Sequence, residues 1–208
     1  YFHPIINTMH DSINQIRQNL LHKRSEFIKS PSFPAEFEHF LFHLGDFLKK
    51  KGGSFKSLAF CWPYRDELDL RTRLLEWQKE RPDRLLLLPK VKSDKRLSFH
   101  TWSDSTPLIR NSYGIDEPDP MAKGVIEKIP DCILIPCVGW SIQQNQCWRL
   151  GYGGGYFDRT LLDLKKTGHR FQSVGIGFDW QQINEAWSPK EHDQPLNLIL
   201  TNSGLKNG

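Results

Sequence analysis

Four glycines fall within five residues, Gly151, Gly153, Gly154 and Gly155, and run directly into a helical pattern. Glycine permits positive φ and lets backbone come close to a ligand. A helix start offers free N–H groups and a partial positive charge. Together these make a cradle for phosphate. Arg149 and Arg159 flank the stretch and could clamp phosphate oxygens with paired N–H groups. The bland reading is a tight strand-to-helix turn without a ligand, but four glycines exceed what a turn needs. No Gly-Lys-Ser/Thr follows, and Tyr156 stands where GxGxxG would need its last glycine. Neither a Walker-type loop nor an ordinary dinucleotide loop is therefore supported.

Asp158 lies in the first turn of the helix that follows. Two readings stand level: a carboxylate favoured by the helix dipole, or a Mg²⁺ ligand beside phosphates. No nucleophile–base constellation is evident. His39 and His43 share the i,i+4 spacing, on a helix that reads as a packing element. The four cysteines, Cys61, Cys132, Cys137 and Cys147, form no CxxC pair, which argues against a zinc site. Cys61 and Cys132 sit in apolar runs, as buried thiols of a reduced, cytoplasmic protein would.

The elements that must hold these residues follow from periodicity. Residues 10–29 read as a helix, with Ile13, Ile16, Leu20, Leu21 and Phe27 near helical spacing and Arg17, His22, Lys23 and Arg24 on the other face. Ser30-Pro31-Ser32 and Pro34 end it. A second helix carries Phe37, Phe40, Leu41, Leu44 and Leu48 and stops at Lys49-Lys50-Lys51-Gly52-Gly53. Short apolar runs come next. Strands are expected at Ser57–Trp62, at Arg84–Leu88 (stopped by Pro89) and at Leu97–Trp102. Cys132–Ile135, Gln172–Phe178 and Asn197–Thr201 complete the set. Helices are expected at Leu70–Gln78 and Tyr156–Lys166, and residues 104–130 are loop-rich. Alternating strands and helices predict an α/β fold. Its mostly parallel sheet has helices on both faces, in a Rossmann-like three-layer arrangement behind an N-terminal helical arm. One domain spans 1–208, with the arm at about 10–50 and the sheet region at about 55–205. Ligands in such sheets sit at the carboxyl ends of strands, so the loops after Trp62, Pro89, Pro136 and Phe178 should converge.

The chain has 208 residues and net charge +4, with 38% hydrophobic and 25% charged residues, as in a soluble globular protein. It starts at Tyr1 rather than Met, and no signal-peptide pattern is seen. No apolar run approaches the roughly 20 residues of a membrane helix. The basic surplus is small and spread out, which suits a pocket for anionic ligands. A nucleic-acid binder would cluster its basic and aromatic residues. Its only candidate here is the run from Lys90 to Arg96, which looks like a hairpin connection.

The stretch from Arg149 to Arg159 resembles the signature of the 5-formyltetrahydrofolate cyclo-ligases, also called methenyltetrahydrofolate synthetases. Further segments agree in order: Glu67-Leu68-Asp69, Leu87-Leu88-Pro89-Lys90-Val91, Tyr113-Gly114-Ile115-Asp116-Glu117-Pro118, Ile135-Pro136 and His192-Asp193. The likeness runs from about Arg17 to Leu205. It implies an ATP- and Mg²⁺-dependent ligase that closes 5-formyltetrahydrofolate to 5,10-methenyltetrahydrofolate. Its partners would be small molecules, with no nucleic acid or membrane, and its expected state is a monomer or weak dimer. Such chemistry asks mainly for positioning and charge stabilisation.

By family position, the ATP site comprises Arg17, Arg24, Arg149, Gly151, Tyr152, Gly153, Gly154, Gly155, Tyr156 and Phe157. Arg149 and Tyr156 are the expected catalytic pair. Trp62, Glu67, Tyr152, Gly154 and Tyr156 border the folate, and Asp158 and Asp193 take Mg²⁺. Read without the family, Asp193 is a turn residue, Glu67 a solvent-facing residue at a helix start, Trp62 a buried strand residue, and Tyr156 core. Arg17 and Arg24 would then mark a solvated helix face.

Three departures stand out. Ile13 replaces a usual lysine, with Lys23 as a possible substitute. Ser141 replaces an acidic residue within Pro136-Cys137-Val138-Gly139-Trp140-Ser141. Gln143 to Trp148 replaces a shorter glycine turn. All three are expected near the site, and they leave open a non-catalytic or differently specific nucleotide- or folate-binding paralogue.

Overall fold

The computed structural model describes residues 5–51, 53–184 and 187–208, with side chains from Ile13 onward. Tyr1 and Gly52 lie outside the described residues. Two helices come first, α1 (Ile5–Phe27) and α2 (Phe33–Lys50). Pro34 sits in the first turn of α2, where its missing N–H costs nothing.

Seven strands form the central sheet: β1 (Ser57–Ala59), β2 (Leu85–Val91), β3 (Leu97–Trp102), β6 (Cys132–Pro136), β9 (Gln172–Ile176), β10 (Leu198–Thr201) and β11 (Gly204–Lys206). Their order is β11-β10-β9-β6-β1-β2-β3. The five inner strands are parallel, and β3 and β11 close the edges antiparallel. This is the expected α/β layering, with an unforeseen edge strand, β11.

The inner strands are apolar without interruption because both faces are covered. Leu58, Leu86, Leu88, Cys132, Leu134, Val174 and Leu200 meet Phe40, Leu44 and Phe47 of α2, and Leu74 and Trp77 of α3 (Arg71–Lys79). Ala59, Leu87, Ile133, Ile135 and Ile199 face the other way, toward Leu161 and Leu164 of α4 (Tyr156–Lys166). Gly175 of β9 is squeezed within this second layer. A Cβ there would lie 2.5 Å from Ile199 Cδ1 and 2.9 Å from Cys137 Sγ. Gly175→Val is expected to cost about 1–3 kcal/mol by overpacking, read as a lower urea midpoint at unchanged m-value.

Several boundaries differ from the sequence reading. β2 does not stop at Pro89 but runs on to Val91, with Pro89 opposite Phe99. The last pairing of β1 is Ala59 with Leu87, so Pro89 lies beyond its reach and no partner there needs the missing N–H. β1 itself ends three residues short of Trp62, which lies in a loop. Within the loop-rich 104–130 stretch, β4 (Leu108–Arg110) and β5 (Asp116–Pro118) pair as a small ladder. A further hairpin, β7 (Gly139–Gln143) and β8 (Gln146–Leu150), turns at Gln144 and Asn145, both with positive φ. Two such residues make a mirror-image turn that matches strand twist.

α1 lies across the carboxyl ends of the sheet. Its Ile13, Ile16 and Leu20 pack on Leu150, Ile183 and Trp187. Phe27 at its far end meets Phe178 edge-on, with centroids 4.8 Å apart. Among the described residues no helix is long and apolar enough to cross a membrane.

Candidate active site

A cavity of about 840 Å³ opens at the carboxyl ends of the parallel strands. The loop after β1 contributes Cys61, Trp62, Tyr64, Arg65 and Glu67. Pro89 and Val91 come from β2, and Pro136 ends β6. The glycine stretch, Gly151 to Asp158, forms one wall; Ile13, Asn14 and Arg17 of α1 form another. Past β9 the turn at Phe178 is taken up by the core, and it is the later residues Trp187, Lys190, His192 and Asp193 that reach the cavity.

The glycines are dictated by crowding. Gly153 and Gly155 have φ of 95° and 65°, a region side chains rarely enter. A Cβ on Gly151 would lie 2.5 Å from Arg149 Nη1, and one on Gly154 would lie 2.6 Å from the Tyr156 ring. Gly155 caps α4, so the free N–H groups of that helix start at the cavity.

Arg149, at the end of the β7–β8 hairpin, is nearly buried, with its side chain 7% exposed. Its Nη2 donates to Asp158 Oδ2 at 3.3 Å, its guanidinium lies 5.0 Å from the Phe157 ring, and its buried Nε has no partner. Asp158 Oδ1 accepts the backbone N–H of Gln194 at 3.2 Å, which brings the helix start against the loop of Asp193. Asp193 Oδ2 accepts the N–H of Lys190 at 2.7 Å. Asp193 is thus a turn residue and a cavity residue at once. Arg17 is no solvated surface residue: its Nε donates to Gly151 O at 2.8 Å and its Nη1 to Asn14 Oδ1 at 2.6 Å.

Glu67 sits in the loop before α3, four residues ahead of the helix, and not at a helix start facing solvent. Its Oε1 accepts the Tyr152 hydroxyl at 2.9 Å and its Oε2 the Tyr64 N–H at 3.1 Å. Burial pushes its carboxyl up to about 7, against the pull of Arg24, Tyr152, Tyr64 and Arg149. Trp62 is half-buried, edge-on to Trp102, and carries the Arg71 guanidinium 4.3 Å from its ring centre. Tyr156 stands outside the core and shares a hydroxyl–hydroxyl hydrogen bond with Tyr113. Burial raises the Cys61 thiol far above its usual range, so this cavity-wall sulfur is protonated and inert as a nucleophile.

The cavity thus brings together Arg17, Trp62, Glu67, Arg149, the whole run Gly151 to Phe157, Asp158 and Asp193. It leaves out Arg24, which is buried behind Tyr152 and lines no part of the wall. Two of the three departures lie elsewhere than expected. Ser141 is buried in β7 and accepts from Gln143, and the residues Gln143 to Trp148 form the far part of the hairpin. Only Ile13 reaches the cavity. Lys23 does not stand in for it, because its ammonium sits 5.0 Å over the Trp180 ring.

Sequence reasoning passed over Tyr113, Lys190 and Glu117 as cavity residues. Glu117 is buried and accepts from Val91 N and Asn111 Nδ2 at 3.1 and 2.7 Å. A second acidic residue, following Asp116 and directly preceding Pro118, was the available signal.

Residues 66–202 match the model of the 5-formyltetrahydrofolate cyclo-ligase family. A curated 5-formyltetrahydrofolate cyclo-ligase of Haemophilus influenzae is 35% identical over 106 residues, which is 50% of this chain and 53% of that protein. The match therefore spans about half the length of that relative. One from Escherichia coli is 30% identical over 150 residues, 71% of this chain and 78% of the relative. A solved 5,10-methenyltetrahydrofolate synthetase of Mycoplasma pneumoniae superposes with a TM-score of 0.67 at 25% identity, covering 90% of this chain and 97% of that one. With the glycine wall, the buried arginine and the desolvated carboxylate held in one cavity, these matches place the chain: it belongs to the 5-formyltetrahydrofolate cyclo-ligase family.

Proposed function

We propose that this chain closes 5-formyltetrahydrofolate to 5,10-methenyltetrahydrofolate, consuming ATP with Mg²⁺ and releasing ADP and phosphate. One observation carries the reading: a glycine cradle with a buried arginine and a desolvated carboxylate share one cavity. A triphosphate and a pterin then have adjacent seats. The formyl oxygen attacks the γ-phosphorus and ADP leaves. The 10-nitrogen of the folate attacks the activated formyl carbon, and phosphate departs with the formyl oxygen and takes up the proton that the 10-nitrogen gives up.

The chain's own part is to position and to stabilise charge. The N–H groups around Gly153 to Tyr156 and the start of α4 receive phosphate oxygens. Arg149 faces the negative charge that spreads over the transferring phosphoryl group, and Arg17 reaches the same wall from α1. Glu67 accepts N–H groups of the pterin, and Trp62, Tyr152 and Tyr156 bound it. The family's Mg²⁺ fits the residues present: Asp158 and Asp193 supply two carboxylates beside the phosphate cradle, a donor set that this ion takes together with phosphate oxygens. When bound, the ion neutralises phosphate charge. Four free thiols among the described residues fit a cytoplasmic protein.

The purified chain, mixed with 5-formyltetrahydrofolate, ATP and Mg²⁺, is expected to raise the near-ultraviolet absorbance of methenyltetrahydrofolate. Asp158→Ala is expected to lose at least about a hundredfold in rate. Ile13 on the cavity wall, where a lysine would add a phosphate contact, favours a second reading: a paralogue that binds ATP without this turnover. No absorbance rise, with ATP binding intact by calorimetry, selects that reading.

A further inference from the structure

Arg24 is 5% exposed, and among the described residues no carboxylate comes within salt-bridge distance of it. An unpaired buried guanidinium is costly, so its hydrogen bonds matter. It donates to the Cys137 carbonyl at 2.6 Å, to the Tyr152 hydroxyl at 2.9 Å and to the Arg65 carbonyl at 3.5 Å. It thus ties together the loop after β6, the glycine loop and the loop that carries Glu67. Arg65 and Asp66, just before Glu67, both have positive φ, a strained conformation that neighbours must hold in place.

The hydroxyl of Tyr152 gives this tie a direction. Arginine has donors only, so the tyrosine oxygen accepts from Arg24 and must point its own hydrogen elsewhere. Two acceptors are in reach, Glu67 Oε1 at 2.9 Å and the Tyr64 carbonyl at 3.4 Å. The nearer and charged one is favoured. A chain therefore runs from guanidinium through hydroxyl to carboxylate, each bond polarising the next. We infer that Arg24 is a positioning residue for the folate and no contact for ATP: through Tyr152 it orients the Glu67 carboxylate and stabilises its charge. The inference rests on the cyclo-ligase reading above.

The groups facing Glu67 agree with this role. Arg24 comes from α1, Arg149 from β8, Tyr152 from the glycine loop, and the protonated thiols of Cys61 and Cys137 lie nearby. After burial, Arg24 is the largest influence on Glu67, and it favours the charged form.

The test is steady-state kinetics of Arg24→Gln, Glu67→Gln and the double variant, with both substrates varied across pH. At pH 7, Arg24→Gln is expected to raise the folate KM about tenfold and leave the ATP KM within about twofold. The acid limb of kcat/KM for the folate should move to higher pH by about 1. On the Glu67→Gln background, Arg24→Gln should add less than about twofold. Arg24→Lys, which keeps a charge, should bring the limb back toward the wild-type position. Tyr152→Phe cuts the chain without removing either charge. It should move the limb the same way, and it serves if Arg24→Gln does not fold. A raised ATP KM with an unchanged folate KM makes Arg24 a phosphate contact and overturns the inference. Equal rises in both KM values, with the limb unmoved in Arg24→Gln or in Tyr152→Phe, make it merely structural and overturn it too. A wild type without turnover removes the cyclo-ligase reading, and this one with it.

Discussion

Arg149→Met should lower turnover by about a thousandfold while the protein still folds. The guanidinium is nearly buried, partnered at 3.3 Å by Asp158, and it keeps one buried N–H without an acceptor. Such a group costs stability unless a ligand completes it. A phosphoryl oxygen would do so, and a preorganised charge in a water-poor site is worth several kcal/mol to the transition state. Methionine fills much of the same volume, so packing on Phe157 is largely kept. Arg149→Lys keeps the charge but loses the planar fork, and an intermediate loss of about a hundredfold is expected. Single-turnover rates with a saturating folate would check both, with calorimetric melting as the control. A methionine variant within tenfold of wild type would remove Arg149 from the chemistry.

Glu67→Gln should act in opposite directions on stability and on function. Burial raises the Glu67 carboxyl to about 7 from its ordinary 4.5. The folded chain therefore holds this proton more tightly than the unfolded chain does. The associated stability is fully present below about pH 4.5 and is lost as pH rises through about 7. At pH 8 the wild type carries a partly desolvated charge that glutamine lacks. Glu67→Gln should then be more stable by about 2 kcal/mol at pH 8, and nearly equal to wild type near pH 4.5. Its folate KM should rise at least about tenfold, because an amide is a weaker acceptor for pterin N–H groups. Urea melts at the two pH values, alongside KM, would test the pairing. A variant less stable at pH 8 would mean the carboxylate is well solvated.

The parts of the fold that were legible share a cause. The runs Leu85–Leu88, Cys132–Ile135 and Leu198–Leu200 are apolar because both sheet faces are covered, and that signal survives in sequence. The glycine wall was legible because positive φ and close contacts leave few other residues possible. The β7–β8 hairpin was not, since polar Gln143, Gln144, Asn145 and Gln146 carry no glycine turn signal. Pro89 read as a stop because propensity knows nothing of where the neighbouring strand ends. Arg24 read as one more basic residue on a helix face, and by family position as a contact for ATP. Its burial depends on Tyr152, 128 residues away, and no periodicity encodes such a pair. The same holds for Tyr113 and Tyr156, whose hydroxyls meet only once the sheet has brought their loops together.

The bond from Arg17 to Gly151 spans 134 residues of chain. Closing so long a loop costs entropy before any contact repays it. The active site should accordingly be among the last parts to assemble during folding, after the sheet is in place. The same bond can open without disturbing the sheet, so the middle of α1 should exchange its amide hydrogens through local excursions well below the global unfolding energy. ATP seated between the glycine loop and Arg17 would suppress those excursions. Its measured affinity would then include the docking of α1, and exchange protection confined to that helix would report how large the share is.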